Sequence, residues 1–234
     1  NGRRRQRQMC IRDSNTTNSK IAEFNVTSAF DPSTLSFVDA YTIGAKTSYP
    51  YGMDFKPDGT EVYVCSYSDS NVHQWTLSTA WDISTASFTR TYDTTKDDYR
   101  HGIRFKPDGT KMYITGGVYT SNDETEQYTL STAWDISTAS YDLVLDHSSY
   151  ITDPQDLLFN NDGTKFYVYG TQPYSYIIAY NLSTAYALNT ATYSSTTSPY
   201  HSSINGISFG AGGIANEEYI GCLLYTSPSP RDNR

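Results

Sequence analysis

The chain has 234 residues, with 25 acidic against 17 basic side chains and a formal net charge of −8. That excess repels phosphate backbones and anionic headgroups, which disfavours nucleic-acid and membrane-surface partners. No apolar run approaches the roughly 20 residues of a membrane span, and the three cysteines form neither a CxxC nor a disulfide framework.

The two ends differ from the rest. Arg4–Ser14 reads RRQRQMCIRDS and Cys222–Asp232 reads CLLYTSPSPRD, and both resemble in-frame translations of transposase-type sequencing adapters. Residues 1–14 and 221–234 are therefore set apart from fold reasoning as adapter-derived, with the native termini expected to be missing. The remaining segment, 15–220, holds 10 Lys and Arg against 23 Asp and Glu, a net charge of −13. Its one cysteine, Cys65, reads as a small buried hydrophobe.

Along that segment a unit of roughly fifty residues recurs, and a fixed period points to a repeat architecture. The chain enters it with Ile21–Val26, the third strand of one unit, followed by a loose copy of a turn phrase over Val26–Ser36. Tyr51 to Thr94 makes one full unit. Met53 and Phe55 alternate on a first strand, and Pro57-Asp58-Gly59-Thr60 makes a tight turn. Proline presets φ there, aspartate bonds its own backbone and glycine takes the left-handed conformation. Glu61–Ser66 is a β-branched and aromatic second strand. Ser68–Asn71 turns, Val72–Leu77 is the third strand, Ser78–Thr85 turns again, and Phe88–Tyr92 is the fourth. FKPDGT returns at Phe105–Thr110, with FNNDGT at Phe159–Thr164. LSTAWDISTAS, first at Leu77–Ser87, returns at Leu130–Ser140, with a looser copy at Leu182–Thr192.

Four short antiparallel strands per fifty residues predict an all-β chain, a β-propeller fragment of about four four-stranded blades from a parent of six to eight. Five sets of aromatics recur once per unit: Phe55, Phe105, Phe159 and Phe209; Tyr63, Tyr113 and Tyr167; Phe24, Trp75, Tyr128 and Tyr180; Phe30, Trp81, Trp134 and Tyr186; Phe37, Phe88, Tyr141 and Tyr193. They are expected to pack between blades.

DGT-(K/E)-x-Y-(V/I) followed by QYTLSTAWDISTAS resembles the repeats of uncharacterised surface propellers of marine bacteria and phages. More distantly the chain is similar to YVTN and lactonase-like propellers. The resemblance implies an extracellular, cell-surface or virion location and a binding or structural role. A lactonase-like or other hydrolytic propeller, with its catalytic residues in missing blades, is the alternative.

The PDGT and STAWDIST turns are nearly constant and lie at one end of each blade. The connections at the other end vary, and the variable end of a rigid scaffold is where propellers carry ligands. These loops are rich in Tyr, Ser, Thr and Asp, the composition of adaptable recognition surfaces. Tyr99, Tyr119, Tyr150, Tyr174 and Tyr200 fall in or beside them. The residue four before each first-strand Phe is Tyr51, His101, Gln155 and Asn205 in turn, all polar and all expected at the channel mouth. These nine residues are the candidate binding set, for a glycan or a protein. Tyrosine rings can stack on sugar faces while Asp and Asn bond hydroxyls.

No catalytic constellation and no cofactor motif is evident. The four histidines occupy non-equivalent repeat positions without metal-ligand spacing. Asp97, Asp98 and Asp153 could hold Ca²⁺ through oxygen, but as loop acids they are expected to be solvated. A G-x-S-x-G match at Gly206–Gly210 falls on a first strand, where the strand-to-helix elbow of a nucleophilic serine is missing.

Overall fold

In the computed structural model the backbone is described for residues 6–12, 19–26, 33, 35–94, 99–118, 121–172, 175–197, 207–211 and 218–222. The strands are β1 (Gln6–Arg12), β2 (Lys20–Val26) and β3 (Leu35–Thr42); β4 (Pro50–Phe55), β5 (Glu61–Ser66), β6 (Asn71–Leu77) and β7 (Ala86–Asp93); β8 (Arg100–Phe105), β9 (Lys111–Val118), β10 (Ser121–Leu130) and β11 (Ala139–Asp146); β12 (Thr152–Phe159), β13 (Lys165–Gln172), β14 (Tyr176–Leu182) and β15 (Ala191–Thr197); and β16 (Ile207–Ala211) with β17 (Glu218–Cys222). β4–β7, β8–β11 and β12–β15 each form a four-stranded antiparallel meander. These three complete blades stand between a three-stranded sheet, β1–β3, and a two-stranded sheet, β16–β17. β1 pairs with β2 from Gln6–Val26 to Arg12–Lys20. The first strands β4, β8 and β12 lie side by side, which sets them at the inner edge of a β-propeller.

The sequence explains the blade closely. Gly59, Gly109 and Gly163 take φ near +70° in the three DGT turns. Asp58 accepts from the Thr60 backbone N–H at 2.9 Å and hydroxyl at 2.6 Å. The STAWDIST turn ends in a 3₁₀ turn capped by Asp82, whose carboxylate accepts from Ser84. The two constant turns are joined: the Trp81 N–H donates to the Gly59 carbonyl at 2.9 Å, and the indole lies over Gly59 and 5.4 Å from the Phe55 ring.

The core is divided among the gaps between consecutive sheets. Ile21, Val62, Val64 and Trp75 fill one. Tyr63, Cys65, Ile103, Met112 and Tyr128 fill the next, and Tyr113, Leu157, Phe166 and Ile178 a third. Cys65 is buried, as expected. Each STAWDIST turn docks on the blade before it. Glu23 accepts from the Ile83 N–H at 3.1 Å, and Gln127 from the Leu188 N–H at 3.0 Å. The Tyr63 hydroxyl donates to the Trp134 carbonyl at 2.6 Å, and Tyr113 to that of Tyr186 at 2.5 Å. The turn is constant among the repeats because it is a seam.

Two expectations are corrected. Most of the fifth aromatic set is not inter-blade core: Phe37 is 62% exposed, Tyr141 50% and Tyr193 44%, whereas Phe88 is half-buried against the cluster around Trp75. The exposed rings lie on the outermost strand, which no further strand covers, and each meets a third-strand aromatic edge-on, as Tyr141 does Tyr128 at 5.9 Å. The connection expected over Val118–Thr125 is mostly strand, because β9 and β10 extend the hairpin to Val118 and Ser121. Of the polar run that reads as a loop, Ser121 pairs with Val118, and the register shifts before pairing resumes at Glu124.

Candidate functional site

The first strands approach one another so closely that a Cβ on Gly52 would collide with the His101 carbonyl and the Gly102 Cα. This approach aligns repeat-equivalent residues across blades. Tyr51 and His101 have ring centroids 4.8 Å apart, and the Gln155 carboxamide lies 3.4 Å from His101 Nδ1. Three of the four polar residues expected at the mouth thus stand in a row. The fourth, Asn205, lies outside the described residues.

The row opens on a cavity of roughly 190 Å³ with eight lining residues, all from three repeat positions. Tyr51, His101 and Gln155 come from the position four before the first-strand Phe. Tyr99 and Asp153 lie two residues earlier still. Tyr67, Gly117 and Thr171 are each four after the second-strand Tyr. Tyr67 and Tyr99 stack at 3.9 Å with their planes 4° apart, and Tyr51 stacks on Tyr67 at 5.3 Å.

Of the expected residues, Tyr51, Tyr99, His101 and Gln155 meet here. Tyr150 does not. It stacks on Tyr193 at 4.2 Å beside the outermost strand. Tyr119, Tyr174 and Tyr200 lie outside the described residues, as do Asp97 and Asp98. Tyr67 and Thr171 were not among the candidates, and Asp153, expected to be a solvated loop acid, is instead buried in the cavity wall. Tyr67, Gly117 and Thr171 share one register at the exit of the second strand and form a variable set.

The polar groups are held in place from behind. Asp153 has φ 58° and is buried. Its backbone N–H donates to Asp123 at 2.7 Å, and its carboxylate accepts from Thr171 at 2.7 Å. His101 Nδ1 donates to the Pro154 carbonyl at 3.0 Å and lies 3.7 Å from Asp153. Burial lowers the His101 pKa below the usual imidazole range, against the opposing pull of that carbonyl and of Asp153, so the ring is neutral at pH 7.

Along the inner strands Asp54, Arg104 and Asp156 tie three blades together. Asp54 accepts from the Phe55 and Phe105 N–H groups at 2.9 and 2.8 Å. Arg104 donates to the Met53 and Ile103 carbonyls and lies 3.1 Å from Asp156. Burial raises the Asp54 pKa, with Arg104 opposing. This network is saturated by its own members and reads as structural.

Among the described residues no group of three or more His, Cys, Asp or Glu side chains could hold a metal ion, and no helix is long and apolar enough to cross a membrane. Ser208 lies within β16, a strand paired with β17.

No protein-family model matches the sequence, and no curated protein does. Solved structures do match. A chain of the nidogen/laminin complex superposes with a TM-score of 0.58 at 12% identity, over 88% of this chain and 67% of that one. A candidate 6-phosphogluconolactonase from Bacteroides uniformis gives 0.56 at 10%, over 83% and 55%. Another from Bacteroides fragilis gives 0.51 at 14%, over 75% and 47%. The chain spans about half the length of these two bacterial proteins. At such identities the superpositions show a shared fold alone, and that fold is the β-propeller.

Proposed function

We propose that the chain is part of a non-enzymatic binding propeller, working on the exterior of a cell or virion, that takes a glycan at the mouth formed by its variable loops. The observation that carries this reading is the mouth itself. Three tyrosine rings and a neutral imidazole form an aromatic wall beside the acceptors of Asp153 and Gln155. Apolar faces next to fixed polar groups suit a sugar ring, which presents C–H on its faces and hydroxyls at its edge. The cavity of roughly 190 Å³ suits one ring of a longer chain, since a cavity of about 150 Å³ holds a benzene-sized molecule. A glycan array with wild-type protein and Tyr67→Ala tests it. Binding lost in the variant and kept in Tyr150→Ala supports the mouth. Binding that survives Tyr67→Ala sinks it.

A hydrolytic propeller is the second reading, suggested by the naming of the Bacteroides neighbours and by neutral His101 standing 3.7 Å from the Asp153 carboxylate. Lactone hydrolysis abolished by His101→Gln would favour it over simple binding.

A further inference from the structure

The charges around the mouth narrow what it can hold. Asp153 is the one ionised side chain among its eight lining residues. The two arginines of β8 are turned to other partners. Arg100 is buried against Glu126 at 3.2 Å and Thr94 at 3.1 Å. Arg104 is bound to Met53, Ile103 and Asp156. The wall beside Asp153 consists of three tyrosine rings, Tyr67 stacked between Tyr99 and Tyr51, and an imidazole that carries no charge. The faces of aromatic rings are electronegative and attract cations that can shed their water. The whole chain adds a net charge of −8, which draws cations in and holds anions off. A neutral sugar uses the rings and the hydrogen bonds but leaves the Asp153 charge without a counter-ion.

Resting on the reading of this mouth as a binding site, we propose that its ligand carries a cationic nitrogen. A protonated amine or quaternary ammonium group sits against the tyrosine faces with the Asp153 carboxylate as its counter-charge. Amino sugars and choline-type headgroups share this chemistry. Phosphorylated ligands are disfavoured by the charge of Asp153.

Matched probes test the charge with shape nearly constant: choline against neutral 3,3-dimethylbutanol, and glucosamine against glucose, each titrated into the full chain by calorimetry. The cation of at least one pair should bind roughly tenfold tighter than its neutral partner. Asp153→Asn should erase that preference. Asparagine tolerates the left-handed backbone of this position and can still accept from Thr171, so the variant is expected to fold, with its circular dichroism as the check. Preference for choline assigns a headgroup, and preference for glucosamine an amino sugar. Equal binding within both pairs, or binding of neutral glycans with neither cation, overturns the cationic ligand and leaves the mouth as a binding site. Silence from all four probes and from a glycan array overturns both.

Discussion

The Tyr180 hydroxyl and His147 Nδ1 lie 2.9 Å apart in the seam between the β8–β11 and β12–β15 blades. On its other side His147 Nε2 lies 2.9 Å from the Thr125 hydroxyl. Thr125 donates onward to Thr115, and Thr115 to the Glu124 carbonyl. That direction leaves the Thr125 oxygen free to accept from Nε2–H, so Tyr180 donates to Nδ1. Burial lowers the His147 pKa to about 3, and the neutral ring fits this chain of bonds with Nε2–H donating to Thr125 and Nδ1 accepting from Tyr180.

A pH dependence follows. Unfolded, His147 takes up a proton near its ordinary value of about 6.5; folded, it resists until about 3. Between those values the unfolded state binds more protons, so stability is full above pH 6.5 and falls as the pH drops toward 3. In His147→Gln the same window should be flatter by roughly a few kcal/mol in total. Urea titrations at pH 7, 5.5 and 4 measure it, and parallel curves for the two proteins would refute the assignment.

Gly109→Ala should destabilise by about 3 kcal/mol, the left-handed backbone and the displaced indole contributing together. Gly109 has φ 74°, and a Cβ there would run into the Trp134 ring. Chemical denaturation gives the value, and a loss under about 1 kcal/mol would mean that the indole moves aside freely.

Arg100 and Glu126 form a buried ion pair at 3.2 Å, with Tyr128 also donating to Glu126 at 2.5 Å. Arg100→Met alone strands the carboxylate and should cost about 3–5 kcal/mol, whereas pairing it with Glu126→Leu should recover most of the loss. The double-mutant cycle decides. Equal losses in the single and double variants would mean that the packing of Arg100, and not the charge, is what matters.

The Cys65 thiol is buried, and burial pushes its pKa up to about 12. In a Cys10→Ser, Cys222→Ser background, iodoacetamide at pH 8 should leave Cys65 unmodified until urea unfolds the chain. Intact-mass spectrometry reads this directly, and labelling of the native protein would show that the seam between the β4–β7 and β8–β11 blades opens.

Tyr67 stands between Tyr99 and Tyr51. Tyr67→Ala should weaken ligand binding about tenfold or more while leaving the melting temperature nearly unchanged, since Tyr67 lies in a turn outside the core. A titration of the ligand identified on the array checks both halves, and a large fall in melting temperature would make the ring structural.

Much of this architecture is legible in the residues. FKPDGT and LSTAWDISTAS are read as turns because Asp58, Gly59 and Asp82 have the local chemistry of turns, and the runs between them alternate as strands do. Tyr51, His101 and Gln155 align because equivalent positions of a radial repeat must converge. Less visible is whatever depends on how far neighbours reach. Tyr67 and Thr171 sit where strand becomes loop, and nothing local tells that they face one cavity. Tyr150 shares the composition of the mouth yet lies against Tyr193. Phe37 and Tyr141 share the periodicity of buried rings yet face solvent, because periodicity records position in the blade and not whether another strand comes after.

The docking of each STAWDIST turn on the preceding blade has a consequence for how such a chain can change. The β8–β11 blade carries both halves of the joint, a plug in its last turn, where Trp134 meets Tyr63, and a socket on its second strand, where Tyr113 receives Tyr186. Identical joints make the blades interchangeable parts, so duplication or loss of one leaves the next fitting as before. The opposite ends of the blades take no part in that fit and can diverge without loosening it.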